Sequence, residues 1–116
     1  MRFVGTQLWL AAIVAGIVFG QGAALAASAE KGKTLLVKNG CWQCHGTLGQ
    51  GGVAGPKLAP DPMPLEAMAN FIRNSNRAMP PYREAILSNE DLADIHAYLS
   101  SVPAAADPKS IPLLND

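Results

Sequence analysis

Apolar positions in the 116-residue chain form one continuous block and then three periodic ones. The continuous block runs from Leu8 to Phe19, interrupted only by glycine, after the basic start Met1-Arg2 and before the small residues that end in Ala24-Leu25-Ala26. This order of basic start, apolar stretch and small-x-small site is that of a secretory signal peptide. Cleavage is expected after Ala26, with Ala29 as a second choice, because Ala27-Ser28-Ala29 has the same form. Val4 to Phe19 falls short of the roughly 20 residues a spanning helix needs, so a membrane is expected to be involved only if the segment stays uncleaved.

The periodic blocks predict three helices. Ser28 can cap the first, which runs to Asn39 with Gly40 in the C′ position, and Gly32, Leu35 and Leu36 share one face. A glycine inside a helix costs propensity, so Gly32 implies close approach of another backbone. The second helix starts at Pro64 and carries Leu65, Met68, Phe71 and Ile72 on one stripe until Asn74. The third begins at Ser88-x-x-Asp91, which resembles a capping box. It places Leu92, Ile95, Leu99 and Val102 on one face beside Tyr98, and stops at Pro103.

Gly/Pro-rich connections at Gly46–Pro62 and Ser75–Tyr82 join these helices, and no run alternates with period two. The fold class is therefore all-α. Three units are expected: a signal peptide at 1–26, a domain at 27–102, and a Pro-rich tail at 103–116 that runs extended over the surface or is partly disordered.

Composition sharpens this picture. Beyond Ala26 the chain has 90 residues containing 9 Pro and 7 Gly, a loop-rich body whose modest core calls for a disulfide, a metal or a cofactor. The same residues carry 8 basic and 9 acidic side chains, so no nucleic-acid partner is expected.

Both cysteines lie in Cys41-Trp42-Gln43-Cys44-His45, and C-x-x-C-H is the attachment signature of c-type haem. Two thiols three positions apart on a helical turn can reach two vinyl groups on one porphyrin edge, with the adjoining imidazole under the iron. Three other readings use the same residues. A thioredoxin-like dithiol wants strands around the motif. A disulfide would close too short a loop to stabilise much, and it leaves His45 unexplained. Zinc wants four ligands, and only His96 remains to join Cys41, Cys44 and His45.

For a second axial ligand the methionines differ in setting. Met1 leaves with the signal peptide, Met68 sits mid-helix on an apolar stripe and reads as core, and Met63 lies in a loop. Met79, in Arg77-Ala78-Met79-Pro80-Pro81-Tyr82, follows a helix in a proline-stiffened loop that could hold a thioether on iron. It is the favoured candidate, with Met63 second. His96, next to Ile95, reads as a boundary histidine rather than a ligand.

In order along the chain, Gly32 with Leu36, Cys41-Trp42-Gln43-Cys44-His45-Gly46, Gly55-Pro56-Lys57-Leu58, Ala78-Met79-Pro80 and Tyr98-Leu99 resemble a small monohaem class I cytochrome c over residues 30 to 102. The resemblance implies three main helices and loops around one covalent haem c, with the first and last helices crossing so that Gly32 faces Tyr98 and Leu99. Leu36 replaces the family's aromatic there, which implies a less tightly packed crossing. Met79 matches the Met-Pro ligand position, and the Pro56 carbonyl would accept the second ring N–H of His45. Lys57, Arg73, Arg77, Tyr82 and Trp42 become candidates for propionate contacts or haem packing.

With His45 and Met79 both on iron, no position is left for a substrate, and the expected function is periplasmic one-electron transfer rather than enzymatic catalysis. The expected partners are redox proteins, a dehydrogenase, oxidase or reductase, with the chain a monomer or a complex subunit. Lys57, Arg73, Arg77 and Arg83 would face an acidic patch on such a partner. The alternatives are a haem enzyme or gas sensor with an open or displaceable sixth position, and a cytochrome subunit of a dehydrogenase.

Overall fold

Ser28 opens the first helix, α1 (Ala29–Lys38), because its hydroxyl accepts the otherwise orphaned N–H of Lys31 at 3.2 Å. The computed structural model describes residues 26–114, so the expected signal peptide lies outside the described residues except for its last position. α1 ends at Asn39, whose amide and side chain both return to the Leu35 carbonyl at 2.9 Å, and Gly40 then turns the chain at φ 76°. One helical turn follows, α2 (Trp42–His45), then α3 (Leu65–Asn74) and α4 (Asn89–Ser101). There is no strand among the described residues, which agrees with the all-α expectation.

The start of α4 shows why that helix was legible. The Ser88 hydroxyl accepts the Asp91 N–H at 3.0 Å. Leu87 and Leu92, at the two positions that staple a helix entry, are both 1 % exposed in one core cluster. The capping box is only half made, because Asp91 turns its carboxylate to Lys31 at 2.7 Å.

The core is the crossing of α1 and α4. Leu36 and Leu99 are completely buried there, joined by Leu35, Leu92, Ile95 and Tyr98. Burial of each such leucine contributes about 1.5–3 kcal/mol. Gly32 makes the crossing possible, since a Cβ at this position would collide with the backbone carbonyl of Asp94. The close approach is as expected, but its partner is Asp94–Ile95, one turn before Tyr98 and Leu99. Leu36, which stands where the family has an aromatic, is fully buried in this crossing.

α3 packs less completely. Met68 and Ile72 are buried against the core, whereas Leu65 and Phe71 of the expected stripe are exposed. α3 meets α4 along a much shorter contact than α1 does, so only the centre of its stripe is covered. Pro64 is the residue before the helix rather than its first.

The tail also departs from expectation. Residues 103–114 are exposed, but they fold into two short 3-10 turns, Pro108–Ser110 and Pro112–Leu114, instead of running extended. Asp107 caps the first turn by accepting the Lys109 N–H at 2.9 Å, and prolines supply the helical φ.

Candidate functional site

Cys41 follows the Gly40 turn, and its N–H reaches back to the Leu36 carbonyl at 3.1 Å, which ties the motif to the buried end of α1. His45 N–H donates to the Cys41 carbonyl at 3.0 Å, and Gly46 N–H to that of Trp42 at 2.8 Å, so the pentapeptide forms a single helical turn. Cys41 is half-buried against the core and Cys44 is exposed, both as free thiols. Burial pushes the Cys41 thiol up from its ordinary value.

His45 is 8 % exposed, and its Nδ1 donates to the Pro56 carbonyl at 2.8 Å. A carbonyl can only accept, so this bond places a proton on Nδ1, and in the neutral ring that leaves the lone pair on Nε2. Gly55 permits the arrangement: a Cβ there would lie 3.0 Å from the imidazole Nδ1 and 2.9 Å from the Cys44 carbonyl oxygen. The loop is folded onto the histidine by Gly51 N–H, which donates to the His45 carbonyl at 2.8 Å.

Met79 is half-buried against the same apolar cluster as Cys41, Leu58 and Tyr82. Its carbonyl accepts the Ser75 hydroxyl at 2.7 Å. Three residues on, Tyr82 N–H donates to the Ile72 carbonyl at 3.0 Å, and Arg73 Nη1 donates to the Tyr82 carbonyl at 2.8 Å. The other arm of Arg73 reaches Asn89 Oδ1 at 2.9 Å, and Asn89 donates in turn to Glu84 at 2.9 Å. Arg73 is therefore committed to its own fold and does not belong to an exposed basic patch, unlike Lys57, Arg77 and Arg83, which are exposed.

The other candidate ligands have different settings. Met68 is in the core, as its stripe implied. Met63 has its carbonyl held by His96 Nε2 at 3.1 Å, which gives that histidine a structural partner on the loop before α3.

Two features escaped the reading of the sequence. The Tyr82 hydroxyl donates to the Asn39 carbonyl at 2.7 Å, across 43 positions, and no periodicity reports such a pair. The second was visible in the composition: the 18 residues Asn39–Pro56 contain no Lys, Arg, Asp or Glu. Within that stretch Trp42, Leu48 and Val53 are exposed. Val53 stands at the tip of a turn closed by Gly52 N–H on the Gly55 carbonyl at 2.9 Å.

These donors suit a haem better than the alternatives. No three His, Cys, Asp or Glu side chains converge among the described residues, so zinc would lack its four ligands. The strands that a thioredoxin-like dithiol wants are absent from the described residues. A buried imidazole oriented through Nδ1, two thiols on its own helical turn and a half-buried thioether packed against the same apolar cluster as Cys41 are donors that suit an iron porphyrin.

Comparison with known proteins agrees. The family described as cytochrome c oxidase, cbb3-type, subunit III matches residues 27–99. The chain is similar to the cytochrome c subunit of 4-cresol dehydrogenase (hydroxylating) from Pseudomonas putida, with 34% identity over 101 residues, 81% of this chain and 86% of that subunit. No solved structure matches it. The chain thus belongs to the cytochrome c family, as a small class I haem c protein whose work is electron transfer, free or as a subunit of a dehydrogenase complex.

Proposed function

We propose that the protein is a periplasmic one-electron carrier holding a single haem c, bound covalently through Cys41 and Cys44, with His45 and Met79 as axial ligands. The observation that carries this reading is the buried His45, directly after two free thiols, with Nδ1 on the Pro56 carbonyl at 2.8 Å and Nε2 left to bind iron. Bound haem supplies reversible exchange of one electron between ferric and ferrous iron.

The chain's own residues determine how that exchange proceeds. The Pro56 carbonyl holds the imidazole ring in one orientation and raises the basicity of Nε2. Met79 would hold the iron through a soft thioether, which would favour the ferrous state and keep exogenous ligands off the iron. Leu58, Met79 and Tyr82 exclude water on the side that borders the core. Residues 1–26 direct export and 103–116 form an appended tail, so that 27–102 is the working domain.

The similarity to a dehydrogenase's cytochrome subunit supports a dehydrogenase as electron donor. The charge-free stretch around the attachment residues supports an exchange face in which exposed Trp42 and Val53 make contact and cations such as Lys57 stand at the rim.

The test is expression of the full chain with a c-type maturation system, followed by mass and absorption measurements on the exported protein. The expected mass is lower by residues 1–26 and higher by one haem. The weak long-wavelength sulfur-to-iron band should vanish in Met79→Ala and persist in Met63→Ala. Haem without that band, together with carbon monoxide binding to the ferrous form at neutral pH, would establish an open-site sensor or enzyme instead.

A further inference from the structure

The two segments that carry the proposed ligands touch through one side chain. Asn39 is the C-cap of α1, two residues before Cys41, and its carbonyl accepts the Tyr82 hydroxyl at 2.7 Å. Tyr82 is three residues after Met79, and its backbone is held at both ends, by the Ile72 carbonyl on its N–H and by Arg73 on its carbonyl. Ser75 ties the Met79 carbonyl to the end of α3 at 2.7 Å. The loop that bears the thioether is thus fastened to α3 and its C-terminal end by three hydrogen bonds and to the histidine side by one.

We propose that Tyr82 is a positioning residue whose phenol clasps the Met79 loop to the His45 segment, and so sets how firmly the thioether stays on iron. The proposal rests on the His45/Met79 ligation reading. Removing the hydroxyl leaves the ring packed but takes away a bond that exists only while the loop is closed. The equilibrium between bound and detached Met79 then shifts by the worth of that bond, and any added ligand competing for the sixth position gains affinity by the same factor. A residue that served only general stability would alter unfolding without altering that competition.

A matched pair of tyrosines allows the distinction. Tyr98 also donates its hydroxyl to a backbone carbonyl, that of Thr47 at 3.0 Å, but it belongs to α4 and its hydroxyl does not bond the Met79 loop. In the matured haem-bearing protein, Tyr82→Phe and Tyr98→Phe are each titrated with imidazole in the ferric state, while the sulfur-to-iron band and the thermal midpoint are followed. Tyr82→Phe is expected to raise imidazole affinity about tenfold and to lose the band at a lower temperature than the wild type. Tyr98→Phe is expected to lower the thermal midpoint and to leave imidazole affinity within about twofold of the wild type.

Unchanged imidazole affinity in Tyr82→Phe, or an equal rise in Tyr98→Phe, overturns the proposal. A wild-type protein that lacks the band overturns the ligation reading and the clasp with it, which distinguishes the two failures. If Tyr82→Phe does not mature, Ser75→Ala supplies the second measurement. It is expected to raise imidazole affinity severalfold, with Ser75→Thr restoring the wild-type value, and no change in Ser75→Ala refutes the fastening of the loop.

Discussion

The α1/α4 crossing and the Met79 side of the molecule are held together by different forces. At the crossing, Leu36 and Leu99 are fully buried and Gly32 lets the two backbones meet, so cohesion comes from packing and is spread over many atoms. On the Met79 side, Leu65 and Phe71 are exposed, and a loop is tied down by Ser75, Arg73, Asn89 and Tyr82 through individual hydrogen bonds. The first region resists any change of volume. The second tolerates changes of volume and responds to the loss of single donors, so Met79, the proposed iron ligand, sits on the side that can be adjusted a bond at a time.

The strongest way to break this contrast is at Leu99. Leu99→Ala is expected to cost about 2–5 kcal/mol in denaturant unfolding of the haem-bearing protein while leaving the sulfur-to-iron band in place. Loss of the band at low denaturant would mean that the two regions are not separable. Gly32→Ala comes next, at about 1–3 kcal/mol, because its Cβ must push the Asp94 backbone away and better helix propensity returns only part of the cost.

On the Met79 side the pattern should reverse. Arg73→Met removes the donors to Tyr82 and Asn89 and is expected to cost about 1–2 kcal/mol. Its clearer sign would be weaker retention of Met79, read as tighter imidazole binding, which Leu99→Ala does not produce.

The smallest effect is expected at the N-terminal latch. Lys31 contacts Asp91 at 2.7 Å and Asp94 at 2.9 Å, and Asp94 Oδ1 also accepts the Ser28 N–H at 2.6 Å. The Lys31 hydrogen bond, followed by that of Ser28, holds the Asp94 carboxyl below its usual range. The hydrogen bonds to Asp91 and Asp94 raise the Lys31 ammonium above its own. A depressed carboxyl stabilises the fold above its unfolded value, roughly 4, and loses this as pH falls through the lower folded value. A raised ammonium stabilises below its unfolded value, roughly 10.4, and loses this as pH rises through the higher folded value. The latch is therefore flat across neutral pH. Lys31→Met should lower the thermal midpoint slightly between those limits, and added salt should shrink the difference, since Lys31 is 54% exposed.

What the sequence reveals follows the same division. Ser28 and Ser88 announce their helices because capping is local, and Gly32 announces a close approach because a helical glycine has few other uses. Pro56 was legible only through resemblance, since nothing local links a carbonyl to an imidazole 11 positions away. Phe71 misled, because helical period marks an apolar face without saying how much of it a partner will cover. The Arg73 guanidinium read as a surface charge, and its commitment to the Tyr82 carbonyl depends on a loop whose path no pattern encodes.

The contact of Gly32 with Asp94 also sets an order of events. It closes a loop of 62 positions, at an entropic cost of about 4 kcal/mol that must be met before the packing of Leu36 and Leu99 repays it. A chain emerging N-terminus first completes Cys41–His45 well before it reaches α4. On the proposed haem c reading, both thiols and the imidazole are therefore within reach of attachment before the last helix docks. Docking of α4 then completes the core against which Cys41 packs.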